Sequence, residues 1–230
     1  MTAPAARRPE ALTLATAAFA VATIGLAAVM LTVFPATAEL TRGFRTPVLA
    51  FELALSEQDL AFLAGPGEAA ARARARMDAG HRWDTVFPFA YGGFVALLLV
   101  QLARRHERLM WLGVPFALAT IPTDLWENAI LVDITAAFGR GDPAAPLLPA
   151  LYVATWLKWG VLAVALGVLA IGYLRKRARI TGALAATSAG AIGLTWMARA
   201  NGALAELMTV LLFAFFLAAA VRSLAAVWRR

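Results

Sequence analysis

The run Leu148–Leu174, LPALYVATWLKWGVLAVALGVLAIGYL, decides the fold class. Lys158 is its only charged residue. As a helix it would extend about 40 Å at 1.5 Å per residue. A bilayer's hydrocarbon core is about 30 Å thick, so the run is long enough to cross it.

The rest of the chain has the same character. Of its 230 residues, 61% are hydrophobic and 15% charged, against roughly one quarter charged in a soluble domain. Five more apolar segments can be drawn: Ala11–Phe34, Trp83–Ala103, Leu109–Val132, Thr181–Ala198 and Ala203–Val227. Thr181–Ala198 is the shortest, but its Ala, Gly, Ser and Thr residues suit close helix packing in lipid. The expectation is an all-α polytopic bundle of six spans, one membrane domain over residues 1–230. The chain has no cysteine, which excludes disulfides, thiolate metal sites and Cys nucleophiles.

Charge placement predicts the orientation. Arg7 and Arg8 precede the first span. Arg104, Arg105 and Arg108 lie between the second and third, and Arg175, Lys176, Arg177 and Arg179 between the fourth and fifth. Arg222, Arg229 and Arg230 end the chain. These are alternate connections, so the positive-inside rule puts them and both termini in the cytoplasm of a cell inner (plasma) membrane. The opposite short connections hold only Arg140 and Arg199. The net charge of +7 therefore belongs to span ends, not to a nucleic-acid surface. Ala36-Thr37-Ala38 resembles a signal cleavage site, but the preceding apolar stretch is far longer than a signal h-region, which favours an uncleaved helix.

The long outer connection, residues 36–82, carries six arginines and six acidic residues. Ser56-Glu57-Gln58-Asp59 resembles a capping box, Gly65-Pro66-Gly67 a break, and Ala69–Met77 an Ala/Arg helix. Two short helices on the outer membrane surface are expected, with the arginines facing water or headgroups.

Ionisable residues inside spans are costly and usually face a bundle interior. Here they fall in the outer half of the spans or near the midplane. Asp84 opens the second span. Asp124 is roughly 13 Å deep in the third and Lys158 roughly 15 Å deep in the fourth. Asp124, Glu127 and Asn128 are spaced i, i+3, i+4 and share a helix face; Asp84, Phe87 and Tyr91 follow i, i+3, i+7. Pro88 and Pro122 remove helical bonds beside these groups, as in the broken helices of transporter sites. Trp83, Trp126, Trp156 and Trp159 lie at similar depth. Asp84, Asp124, Glu127 and Lys158 are the candidate catalytic residues. Tyr91, Asn128, Trp126 and Trp156 are the candidate substrate contacts. All are expected around one outward-opening cavity.

Plainer readings stand beside these. Glu127 and Lys158 also fit an ion pair that only fixes helix packing. Tyr91 fits packing, and Asp133 a helix end. Glu206 and Arg199 fit a surface pair. His81 and His106 fall on opposite sides of the membrane, so a two-histidine haem or zinc site is excluded within one chain. A hard-cation site of Asp84, Asp124 and Glu127 is opposed by Lys158 nearby. No metal and no cofactor is expected.

Phe51-Glu52-Leu53-Ala54, Asp84-x-x-Phe87-x-x-x-Tyr91, Asp124-x-x-Glu127-Asn128 and a fourth-span Lys158 together resemble an uncharacterised bacterial family of small polytopic membrane proteins. The resemblance covers roughly residues 51–174. It implies that these polar positions belong together, and it supplies no reaction.

Three functions remain open. One is a membrane enzyme or binding protein for a lipid or isoprenoid-like molecule, using carboxylate acid/base chemistry, with membrane lipids or a hydrophobic small molecule as partner. Another is a proton-coupled transporter, weakened by the lack of ionisable groups in the inner halves of the spans. The third is a structural or accessory membrane subunit.

Overall fold

The computed structural model describes residues 10–104 and 108–228. Arg7, Arg8, Arg105, His106, Arg229 and Arg230 lie outside the described residues. The helices in chain order are α1 (Ala11–Val33), α2 (Pro47–Glu52), α3 (Glu68–Asp84), α4 (Phe87–Arg104), α5 (Gly113–Arg140), α6 (Leu148–Arg175), α7 (Arg179–Met197) and α8 (Gly202–Trp228). Short 3₁₀ turns precede α3, α5 and α6. No strand occurs among the described residues. The chain is a multi-pass helical membrane protein: α1, α4, α5, α6, α7 and α8 anchor six stretches long and apolar enough to cross a bilayer.

The spans pack on one another in chain order, α1 on α4, α4 on α5, and so on to α8, which returns to α1. The ring is filled by Phe94, Leu99, Leu162, Leu166, Leu169 and Phe215. Close approach is built in at Gly92. A Cβ there would come 2.6 Å from Thr120 Oγ1 and 3.1 Å from the Ala117 carbonyl of α5. The neighbouring Tyr91 is thereby held against α5.

Two element boundaries differ from the sequence expectation. The stretch 68–104 is interrupted at Thr85-Val86 just ahead of Pro88, which sits in the first turn of α4, where its missing N–H costs nothing. Asp84 accordingly ends α3 and does not open the second span. The third span does not stop at Val132. It continues to Arg140, where Gly141 takes a left-handed conformation (φ 80°) and Asp142 N–H donates to the Ala137 carbonyl at 2.9 Å. Asp133 is an exposed mid-helix residue and ends nothing.

Residues 36–82 do more than lie on a surface. The Ser56/Asp59 capping box forms and opens a 3₁₀ turn, Glu57–Leu63. Phe51, Leu60, Leu63 and Met77 are fully buried and share an apolar core with Ile130, Leu131 and Ile134 of α5. This makes a second apolar core at the α2–α3 end of the bundle. Helix α3 is pinned to its neighbours by polar bonds. Arg76 donates to the Thr32, Val33 and Phe34 carbonyls that α1 leaves open at its end. Thr135 donates to Asp78 at 2.6 Å. Arg74 donates to the Leu63 and Gly65 carbonyls, and the exposed Arg72 pairs with Glu68.

Glu206 and Arg199 do not pair. Glu206 accepts the backbone N–H groups of Arg45 and Thr46 at 2.8 and 2.7 Å and the Thr46 hydroxyl at 2.7 Å, which fastens the start of α2 to α8. The Arg199 guanidinium instead lies over the Tyr152 ring, 5.7 Å from its centroid. Two free N–H groups at a helix start attract a carboxylate more strongly than one exposed arginine does.

Candidate functional site

The buried polar residues are delivered by five elements. Helix α5 carries Asp124, Glu127 and Asn128 on one inward face, as their spacing predicts. The Tyr91 hydroxyl of α4 donates to Asp124 Oδ2 at 2.6 Å. Asn128 Nδ2 makes a long bond of 3.4 Å to Asp124 Oδ1. Lys158 of α6 donates to Glu127 Oε2, and at 3.0 Å to Oε2 of Glu52 at the end of α2. Lys158 Nζ also lies 4.9 Å from the Trp159 ring centroid. Asp84 closes α3, close enough for its charge to act on Asp124, Tyr91 and Lys158.

These residues belong together as expected, with one correction each to the lining and the access. Trp126 is 44% exposed and points out of the bundle, because a residue one step before Glu127 falls about 100° away from its face. It does not contact the cluster. Trp156 is half-buried against the apolar cores. The cluster also lies buried, not around an open cavity. Glu127 is 0% exposed, and Asp124, Asn128, Lys158, Tyr91 and Asp84 are all buried. A pocket of about 560 Å³ lies at Arg42 and Met197–Asn201, and another of about 260 Å³ at Glu10, Thr13, Gln101 and Arg104. Both are away from the cluster. The physical reason is the second apolar core: α2 and the 3₁₀ turn bury Phe51, Leu60 and Leu63 at the end of the bundle from which Glu52 reaches Lys158.

Two site residues escape a reading of spans. Glu52 sits outside every apolar run, yet its carboxylate reaches the bundle centre. The signal was there: it is the one charged residue in Phe51–Leu55. Its backbone carbonyl also accepts from Thr155 at 3.1 Å. His81 is 1% exposed, with its ring edge-on to Phe34 and Phe51, at 5.2 and 5.8 Å between centroids. His81 Nδ1 is 3.9 Å from Asp84 Oδ2, beyond hydrogen-bonding range.

The satisfied and unsatisfied atoms define what the site can do. Buried and without a hydrogen-bond partner are Glu127 Oε1, Asn128 Oδ1, Trp159 Nε1 and both ring nitrogens of His81. Native interiors leave few such atoms, and each calls for an occupant or a role. Among the described residues, no group of His, Asp and Glu side chains is arranged to hold a metal ion. Lys158, placed between Glu52 and Glu127, takes the position a cation would need. Comparison with protein-family models, with curated proteins and with solved structures finds no match.

Proposed function

We propose that this membrane protein binds and processes a lipid or isoprenoid-like molecule at the Glu52–Asp84–Asp124–Glu127–Lys158 cluster, by carboxylate acid/base chemistry. The observation that carries the reading is charge balance. Four carboxyl groups face one lysine inside an apolar shell. Were all ionised, three negative charges would be buried without a partner, at a cost of several kcal/mol each. Protons held on the cluster remove that cost, and a carboxyl that holds a proton in an apolar site is a general acid for an olefin or carbonyl. Tyr91 positions Asp124, while Lys158 keeps Glu127 as the conjugate partner. An apolar substrate suits a site flanked by lipid-length helices and closed from water. The orientation that goes with this reading has both termini in the cytoplasm of the plasma membrane and the cluster toward the outer leaflet.

A carrier is less well supported, because among the described residues the bundle beyond the cluster buries hydroxyls such as Thr16, Thr120 and Ser188 but no ionisable side chain. The scaffold reading draws on a specific contact, the Lys158 bridge between Glu52 and Glu127, which joins α2, α5 and α6. Native mass spectrometry of the protein extracted from its own membranes separates the two. A bound lipid that is lost in Asp124→Asn while the fold persists supports the lipid site. A lipid-free protein, with an unchanged cellular lipid profile on deletion, leaves the scaffold.

A further inference from the structure

The turn Ala198-Arg199-Ala200-Asn201 joins two spans, α7 and α8, and so lies at a membrane boundary. Its backbone is fixed to the long connection between α1 and α4. Gly202 N–H donates to the Arg42 carbonyl at 2.8 Å, and Arg42 Nη1 donates to the Arg199 carbonyl at 2.9 Å. Glycine permits this approach, since a Cβ on residue 202 would come 2.6 Å from the Phe44 backbone nitrogen. The hollow of about 560 Å³ at Arg42 and Met197–Asn201 is therefore built into the fold.

Its two arginines are not equivalent. Arg42 is fully engaged within the protein, with Nε on Asp59 at 2.9 Å and its other nitrogens on the Arg199 and Leu53 carbonyls. The Arg199 guanidinium has no ion pair and no hydrogen bond among the described residues; the Tyr152 ring beneath it is its support. Glu206, five residues beyond Asn201, is held by the Arg45 and Thr46 N–H groups instead. Asn201 Oδ1 takes the Leu204 N–H in a long bond of 3.4 Å, which leaves its amide N–H groups to be given. The first turn of α8 carries no acidic residue, so the partial positive charge of that helix start is unopposed. The hollow thus presents donors and positive charge with no anion to answer them. A guanidinium fork matches the oxygens of a phosphate. Trp196 and Met197, at the end of α7, are exposed apolar side chains next to it, and a tryptophan at this level is where a lipid's head meets its chains.

We propose that the α7–α8 turn binds an anionic phospholipid, with Arg199 and Asn201 donating to its phosphate and its chains running along Trp196 and Met197. This site is separate from the carboxylate cluster and does not depend on the lipid-processing reading. The chemistry is opposite: an unpaired cation takes an anion here, whereas the cluster gathers carboxyl groups around one cation.

The test uses the full chain in detergent and three probes: dioctanoyl phosphatidylglycerol, dioctanoylglycerol, which has the same chains without the phosphate, and inorganic phosphate. Kd is measured for each. Dioctanoyl phosphatidylglycerol is expected to bind at least about tenfold more tightly than either of the others, since it alone supplies both halves of the site. Arg199→Gln is expected to weaken it about tenfold, and raised salt to weaken it further in the wild type. Asp124→Asn is expected to leave it unchanged, which separates this site from the cluster. Inorganic phosphate binding as tightly as the lipid overturns the lipid assignment and makes the ligand a free anion. Dioctanoylglycerol binding as tightly overturns the phosphate contact. The proposal also falls if phosphatidylglycerol does not bind, or if its affinity ignores Arg199→Gln. If Arg199→Gln does not fold, phosphatidylglycerol with a diazirine in its headgroup replaces that variant. Label within residues 196–201 supports the site, and label confined to other segments overturns it.

Discussion

Glu52 of α2 and Lys158 of α6, 106 residues apart in the chain, meet at 3.0 Å beside the second apolar core. The contact joins a connecting segment to the centre of the bundle. It also makes Lys158 a shared cation, since Glu127 holds the same ammonium from α5. One short helix thus contributes a cover, through Phe51, and a member of the polar cluster, through Glu52.

Glu52→Gln removes one charge from this bridge and leaves Lys158 paired to Glu127. The expected cost is about 1–3 kcal/mol, the range for a buried charge-assisted bond. Amide hydrogen exchange should accelerate in residues 47–53, while exchange within α5 stays slow. Unchanged protection of α2 would show that Phe51 and Glu206 hold it without the carboxylate.

Lys158→Met leaves the Glu52 and Glu127 carboxylates buried without their cation, at about 3–5 kcal/mol in thermal stability, whereas Glu127→Leu leaves Lys158 paired to Glu52 and is expected to cost less. For an isolated pair, the double variant would recover most of this. Here it strands Glu52, so recovery is expected only when Glu52→Gln is added. Full recovery in the double variant alone would mean that Glu52 contributes nothing to the bridge.

Glu206→Ala is expected to cost about 1–2 kcal/mol, because it uncaps the start of α2. Arg199→Ala should change stability by no more than about 0.5 kcal/mol, since the group of Arg199 that accepts from Arg42 is its backbone carbonyl. Equal losses in the two variants would restore the idea of a Glu206–Arg199 pair.

Asp59 lies in the long connection between α1 and α4 and gives a pH dependence. Burial raises its carboxyl, but the Thr41 hydroxyl, the Leu55 N–H and the Arg42 guanidinium outweigh that, and the group titrates below its usual value. Its folded form thus releases its proton more readily than its unfolded form. The stability it adds is complete above the unfolded value, about 3.9, and is lost as pH falls through the lower folded value. Asp59→Asn should flatten the fall in Tm below about pH 4, where the wild type loses this contribution. Parallel curves for both proteins would count against it.

The orientation predicts reporter behaviour. A reporter active only in the cytoplasm should work when fused after Arg230 and be silent when fused within Ala69–Met77. Activity at the second position would invert the topology and move the cluster to the inner leaflet.

The sequence by itself determined the helical membrane class, because bilayer thickness turns apolar run length directly into spans, as Leu148–Leu174 illustrates. It also determined that Asp124, Glu127 and Asn128 share a face, since 3.6-residue periodicity is a local property. The Ser56/Asp59 cap was legible for the same reason. What only the tertiary structure decided is non-local. Asp84 ends one helix instead of opening another, because the chain breaks at Thr85-Val86 ahead of Pro88. Glu52 joins Lys158 because α2 folds inward, and no span-by-span reading follows a connecting segment into a bundle. The cluster is buried where α2 and the 3₁₀ turn pack Phe51, Leu60 and Leu63 with Ile130, Leu131 and Ile134 of α5. Periodicity places a side chain on a face, but which face another segment covers depends on how the whole chain packs.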